Sequence, residues 1–259
     1  MPIATVAPVI ECKVCGFDAR FFGAVDAAKS CMDLGVAAGQ PLLLPLTGVQ
    51  IPYHRCTNCA FLFSSAFDHW SAEDFSREIY NADYIKVDPE FASIRPHSRA
   101  ELLAYLLAPR RGAMRLLDYG GGAGVFARRM NELGFDAASY DPHFKGDLEP
   151  RLGEKFELIH CSEVIEHAPD PRDFARDLVR FLAPDGAIYM YTGTQPTDIA
   201  SIGLTWWYAA PRNGHISLFT REALGLVWQE QGLQFGSFDE NRHIAWRGAP
   251  ACYSCLVKG

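Results

Sequence analysis

The chain has 259 residues, 49% of them hydrophobic and 21% charged, with 24 Lys plus Arg against 31 Asp plus Glu and a net charge of −7. At one domain per ~150 residues this amounts to ~1.7 domains, enough to build a core without staples. The composition excludes intrinsic disorder. The longest apolar run, residues 42–46, is broken by Pro45, so no membrane span or membrane partner is expected. Residues 1–11 carry no basic stretch ahead of an apolar one, which argues against a secretory signal and for a cytoplasmic location. The acidic balance and the absence of any run of five basic residues argue against nucleic acid as a partner. The eight cysteines, in a reducing compartment, point to metal or thiol chemistry rather than disulfides.

Residues 1–90 are rich in Cys, Pro and aromatics, with little sustained periodicity apart from a modest helical stretch at 72–80. Two knuckles stand out. Cys12 and Cys15 enclose Lys13-Val14, Cys56 and Cys59 enclose Thr57-Asn58, and each pair is followed by a small residue and an aromatic, Gly16-Phe17 and Ala60-Phe61. Four thiolates are the set a tetrahedral structural Zn2+ requires; they leave no open position, so the metal would order this region rather than catalyse. Cys31 and His54 are substitute candidates. Cys252 and Cys255 repeat the spacing in a strand-like run, where residues three apart face opposite sides, and are read as core.

From residue 91 strand and helix patterns alternate, the signature of an α/β domain with a mostly parallel sheet. Ser98 and Glu101 form a candidate capping box ahead of a stripe of Leu102, Leu103, Leu106 and Leu107, which Pro109 ends. A strand at 114–117 runs into Asp118 and the glycines Gly120, Gly121, Gly122 and Gly124. A helix follows, with Val125, Phe126, Met130 and Leu133 inward and Gly134 as its stop. Strands are expected at 135–140, ending at Asp141, and at 156–161; then a helix at 171–182 and a strand at 187–191. Thr220 caps a helix that runs to Gln231 and closes at Gly232. Residues 233–258 read as an antiparallel hairpin.

The glycine loop admits two readings. Gly122-x-Gly124-x-x-Ala127 loosely fits a dinucleotide fingerprint with Asp141 as its ribose acid. Against that, Asp118 just ahead of the glycines is awkward beside a pyrophosphate and well suited to a cationic ligand such as S-adenosylmethionine, which carries a sulfonium and an ammonium.

At these residues the sequence resembles the class I S-adenosylmethionine-dependent methyltransferases, whose first motif is an acid followed by x-G-x-G-x-G. Asp118, Gly120, Gly122 and Gly124 match it, and the likeness continues through Asp141, the Phe156-Glu157-Leu158-Ile159 and Val164-Ile165-Glu166-His167 segments and Leu182-Ala183-Pro184-Asp185-Gly186. It implies a Rossmann-like fold in which Asp118, Gly120, Gly121, Gly122, Gly124, Asp141 and Ser162 bind the cofactor. Between Asp141 and Phe156 lie only 14 residues, so the family's third strand and its helix are expected to be shortened or missing, leaving Asp147 as a weak candidate for the adenine. The four-cysteine module, the 80–84 tyrosines and Gly214-His215-Ile216-Ser217-Leu218-Phe219-Thr220 together resemble zinc-containing sugar C-methyltransferases and their smaller relatives. That resemblance implies Tyr84 and His215 as active-site residues, with Gly214 standing where that family has Glu. Trp206, Trp207 and Tyr208 are candidate walls for the acceptor.

The expected organisation is therefore a zinc-binding, acceptor-side module over 1–90 and a methyltransferase domain over 91–259. The expected activity is methyl transfer to a hydroxyl or carbon of a small molecule, a carbohydrate or secondary metabolite favoured, with His215 taking the acceptor's proton. A zinc-containing RNA methyltransferase, a NAD-dependent enzyme and a non-catalytic zinc- and cofactor-binding interaction protein are the alternatives. The sequence leaves the oligomeric state open.

Overall fold

The structure, a computed structural model, describes residues 7–33, 42–142, 144, 146–151, 153–248 and 256. In chain order the elements are β1 (Val9–Glu11), β2 (Asp18–Asp26), β3 (Gln50–Cys56), β4 (Leu62–Phe63), α1 (Ala72–Glu78), α2 (Ile94–Leu106), β5 (Arg115–Tyr119), α3 (Val125–Glu132), β6 (Asp136–Tyr140), β7 (Phe156–Ser162), α4 (Pro171–Leu178), β8 (Leu182–Tyr191), α5 (Ile199–Ile202), β9 (Ser217–Leu218), α6 (Arg221–Glu230), β10 (Gln234–Ser237) and β11 (Arg242–Trp246). The chain divides into two compact units: Met1–Asp88 with Glu166–Arg172 and Gly193–Val227, and Pro89–Ile165 with Asp173–Thr192 and Trp228–Gly259. The division is thus not a single cut, because two later segments join the cysteine-rich region.

The first unit holds a five-stranded antiparallel sheet of order β1-β2-β3-β4-β9. The sequence pattern conceals it for a physical reason. The register of β2 against β3 shifts between Phe21 and Gly23, and such a bulge breaks the period-2 alternation that marks a strand. The last strand comes from residues 217–218, far downstream. The sheet has its own core, with Tyr53, Leu62, Phe67, Phe75, Ile216 and Leu218 buried together, so the region does not depend on metal alone for packing. Two acids pin the connection between β2 and β3. Asp26 accepts from the amides of Ala28, Thr47 and Gly48 and from the Thr47 hydroxyl, and Asp33 accepts from the Ser30 and Leu43 amides. The four donors hold the Asp26 carboxyl below the usual range despite its burial.

The second unit is a six-stranded mixed sheet of order β10-β11-β8-β7-β5-β6. Strands β6, β5, β7 and β8 are parallel, while β11 runs antiparallel between β8 and β10 and forms the expected C-terminal hairpin. Leu103, Leu116, Phe126, Met130, Leu158 and Tyr189 are buried together in its core. Strand β5 sits between β6 and β7, so the chain leaves it to one side and returns on the other. The carboxyl end of such a strand is the topological switch point at which open α/β sheets bind ligands. Among the described residues no strand lies between β6 and β7, only an isolated Asp141–Phe144 bridge, in keeping with the shortened connection.

Some local expectations shift. Helix α2 begins at Ile94, so Ser98 and Glu101 lie inside it and form no capping box; Glu101 instead accepts from Arg129 Nε at 2.8 Å. The strand expected at 187–191 extends back to Leu182, its register with β7 broken between Phe156 and Leu158. Thr220 does cap α6, accepting from the Ala223 amide at 3.0 Å. Cys252 and Cys255 lie outside the described residues. Among the described residues no helix is long and apolar enough to cross a membrane.

Candidate functional site

Among the described residues three groups of polar side chains stand out, one in the second unit and two in the first. In the second unit, Asp118 is buried near the end of β5, and His160 of β7 lies with Nδ1 2.9 Å from its Oδ1. The His160 ring stacks on Phe126 of α3, centroids 3.9 Å apart and nearly parallel, which holds the hydrogen-bond partner of Asp118 in place. Above it the glycine loop comes too close for a side chain: a Cβ on Gly121 would stand 2.3 Å from both Asp118 Oδ2 and Ser139 Oγ. Gly121 is thus required by space, and the strand-to-helix turn presses its backbone onto the carboxylate. Gly124 then begins α3, whose first-turn amides lie beside the loop. The Gly122 amide donates to Asp141 Oδ2 at 2.9 Å, tying the end of β6 to the loop. Ser139 Oγ and Ser162 Oγ, the latter at the end of β7, are buried without a protein hydrogen-bond partner. The loop amides of Gly120, Gly121, Gly122 and Gly124 are bonded within the protein, so the cradle offers a carboxylate, the first-turn amides of α3 and two uncommitted hydroxyls. That donor set fits a ligand with an ammonium, a carboxylate and a ribose, and Asp118, Gly120, Gly121, Gly122, Gly124, Asp141 and Ser162 all stand at the carboxyl ends of β5, β6 and β7. Asp147, by contrast, is exposed and paired with Arg128.

In the first unit the two cysteine knuckles are near-copies. Each first cysteine sulfur accepts from the amide two residues on, Val14 N–H at 3.4 Å and Asn58 N–H at 3.3 Å. Each first cysteine amide donates to the carbonyl five residues on, Phe17 and Phe61, both at 2.8 Å. Gly16 and Ala60, after the second cysteines, take left-handed φ values of 74° and 57°. The sulfurs converge: Cys12 to Cys59 is 3.8 Å, Cys15 to Cys56 3.4 Å and Cys15 to Cys59 3.5 Å. A tetrahedral ion with metal–sulfur bonds of about 2.3 Å separates its sulfurs by about 3.8 Å, so these free thiols fit such an ion. His54 and Cys31 lie outside the four-sulfur group. His54 Nε2 instead donates to the Ala7 carbonyl at 2.8 Å.

The third group surrounds His215. Its Nδ1 lies 3.0 Å from the Tyr208 carbonyl, which can only accept, so Nδ1 carries the proton and the lone pair of the neutral ring is on Nε2. The Cys31 thiol is 3.5 Å from the same nitrogen. Tyr53 donates its hydroxyl to the His215 carbonyl at 2.7 Å, and burial pushes that phenol upward. His167 donates Nδ1–H to the Gly214 carbonyl at 3.0 Å, and its ring packs 5.1 Å from that of His215. Glu166, His167 and His215 each bring one polar atom into a set whose members all lie within 4.8 Å of one another. The nearby Lys29 ammonium donates to the Trp206 and Ala209 carbonyls, and burial lowers its pKa to about 8.

Tyr84 is buried, with its hydroxyl 3.5 Å from the Asn213 carbonyl; its ring packs on Tyr80, and the Tyr80 ring packs on His167. A second tyrosine, Tyr80, thus joins Tyr84 on this side, its ring 5.9 Å from that of His167. Trp206 and Tyr208 are buried, whereas Trp207 is 41% exposed. Sequence reasoning singled out neither Tyr80 nor Glu166 as functional. The available signals were the Tyr80–Tyr84 pair and the acid-histidine dipeptide following β7.

The profile of the methyltransferase domain family matches residues 91–236, more than half of the chain. The mitochondrial ubiquinone biosynthesis O-methyltransferase of Schizosaccharomyces pombe is 31% identical over 102 residues, which cover 30% of this chain and 37% of that protein. A ubiquinone biosynthesis O-methyltransferase of Caulobacter sp. is 28% identical over 102 residues, with 30% and 40% covered. The match thus spans well under half the length of these relatives. The solved structure of an O-methyltransferase family protein from Burkholderia thailandensis superposes with a TM-score of 0.51 at 13% identity, covering 70% of this chain and 64% of that one, a likeness of fold. The chain belongs to the methyltransferase domain family.

Proposed function

We propose that the protein transfers the methyl group of S-adenosylmethionine to a small-molecule acceptor, at a hydroxyl or carbon, with a carbohydrate or secondary metabolite favoured. The observation that carries this reading is the cradle at the end of β5, where the Gly121 backbone lies directly on the Asp118 carboxylate. A carboxylate at that point attracts a cationic ligand and repels a pyrophosphate, which favours S-adenosylmethionine over a dinucleotide. The two relatives named O-methyltransferases favour oxygen as the acceptor atom.

When bound, S-adenosylmethionine supplies an electrophilic methyl on a sulfonium. Asp118 and the close-approaching loop of Gly120, Gly121, Gly122 and Gly124 hold the methionine end, with the first-turn amides of α3 beside it, Asp141 holds the ribose, and Ser162 adds a hydroxyl. His215 takes the acceptor's proton at Nε2, its ring fixed by the Nδ1–H bond to the Tyr208 carbonyl. Tyr84 completes the acceptor-side set. Cys12, Cys15, Cys56 and Cys59 hold one structural Zn2+, and the first unit serves as the acceptor-side module.

The test is S-adenosylhomocysteine release over a panel of hydroxylated acceptors, sugars and phenols included. Turnover with at least one acceptor, lost in His215→Ala while S-adenosylmethionine affinity stays within about twofold, is the expected result. Full turnover in His215→Ala removes that residue from the chemistry.

A further inference from the structure

Resting on the reading of His215 as proton acceptor, we propose that Glu166 is its positioning residue: a buried carboxylate that orients the imidazole and balances the charge it gains. Gly214, immediately before His215, cannot supply that acid. Its φ is +84°, and a Cβ there would stand 3.0 Å from His167 Nδ1 and 3.4 Å from Ile79 Cγ2. The carboxylate of the cluster comes instead from the turn after β7. Glu166 has 0% exposure, and its oxygen, one His167 ring nitrogen and one His215 ring nitrogen lie within 4.8 Å of one another.

Tyr208 fastens the acid and the base to each other. Its hydroxyl donates to Glu166 Oε1 at 2.6 Å while its carbonyl accepts from His215 Nδ1 at 3.0 Å. The Gly193 amide donates to that hydroxyl at 2.9 Å, so the phenolic proton is directed at Glu166. Gly193 is itself confined, since a Cβ there would meet the Tyr208 ring at 2.9 Å. A second backbone bond, from the Ile216 amide to the Glu166 carbonyl at 3.0 Å, joins the two segments directly.

Burial of a carboxylate is costly without hydrogen bonds or opposite charge. An imidazolium forming within about 4–6 Å provides that charge, and the carboxylate in turn favours the protonated ring by about 1–3 pH units. The other polar groups around His215 are Cys31 at its Nδ1, Tyr53 on its carbonyl, His167 against its ring, and Asn213 two residues earlier. The charged neighbours, Lys29 and Arg212, are directed elsewhere. Lys29 is bonded to the Trp206 and Ala209 carbonyls, and Arg212 to the Ile79 carbonyl and the Asn81 side chain. Glu166 is therefore the carboxylate placed to act on His215, with the Cys31 thiol as the other acidic group at its Nδ1.

The test is an NMR titration of the histidine ring signals in the full zinc-loaded chain, with His215→Ala assigning the resonance. In Glu166→Gln the midpoint of His215 falls by about 1–3 pH units, because losing the carboxylate disfavours the charged ring. The acid limb of the kcat/KM profile moves to lower pH by a similar amount. Glu166→Asp, which keeps the charge, recovers part of the shift and serves as the second variant if Glu166→Gln fails to fold. An unchanged midpoint in a folded variant overturns the proposal, as does a midpoint shift with no change in the rate profile. So does loss of the His215 titration in the wild-type protein on adding one equivalent of Zn2+ beyond the structural ion, which would make the cluster a metal site. The titration needs no acceptor, so its failure is distinct from a failure of the methyl-transfer reading, which S-adenosylhomocysteine release by the wild-type protein measures.

Discussion

The glycine loop of the second unit and the histidine cluster of the first hold chemistry in opposite ways. The loop works by leaving atoms out: its backbone closes onto the Asp118 carboxylate because Gly121 has no side chain to stand 2.3 Å from Asp118 Oδ2. The cluster works by adding them. Glu166 and His167 come from one stretch of chain, Tyr208 and His215 from another, and they are fixed by side-chain bonds to one another and to backbone carbonyls. The difference teaches where each is vulnerable. The first fails when a methyl group is added, the second when a functional group is removed. The four cysteines combine both devices, with backbone knuckles carrying convergent sulfurs.

The largest expected effect lies with the cysteines. Structural zinc contributes about 10–16 kcal/mol of apparent binding free energy in small modules, so Cys12→Ser should release the metal and unfold part of the first unit. Elemental analysis should find one Zn per wild-type chain, and an equal melting temperature for metal-free and metal-loaded protein would refute the role. Next comes His215→Ala, expected to lower kcat by about 10²-fold with S-adenosylmethionine affinity nearly constant, as measured by steady-state kinetics and calorimetry. Gly121→Ala should show the reverse pattern. Overpacking against Asp118 and Ser139 should cost about 1–3 kcal/mol of stability and should abolish measurable cofactor binding. Unimpaired binding in that variant would mean that the loop is not the cradle. The smallest effect is Thr220→Ala, which removes the N-cap of α6 and should lower stability in urea by about 1 kcal/mol. It also frees the Cys59 carbonyl, to which the Thr220 hydroxyl donates at 2.8 Å, while leaving the four sulfurs and the other two groups in place.

Legibility in the sequence follows the same divide. The glycine loop is written in consecutive residues, because a strand, a tight turn and a helix N-terminus must be neighbours in the chain. Asp118, Asp141 and the order of β5, α3 and β6 were accordingly readable. The cysteine spacing was equally local within each knuckle. The five-stranded sheet was not, since a bulge in β2 disrupts alternation and β9 arrives from residue 217. Glu166 was hidden for another reason: its meaning depends on Tyr208 and His215, more than 40 residues downstream, and no periodicity records such a contact. Gly214 shows the limit most plainly. In the sequence it reads as a missing acid, whereas in the fold it is a left-handed turn residue packed on His167.

The central claim is that the cradle at the end of β5 binds S-adenosylmethionine. The most direct measurement is calorimetric titration of the zinc-loaded chain with S-adenosylmethionine and, in parallel, with NAD. The account predicts one S-adenosylmethionine per chain, lost in Gly121→Ala, and no heat from NAD. Saturable binding of NAD with none of S-adenosylmethionine would contradict it.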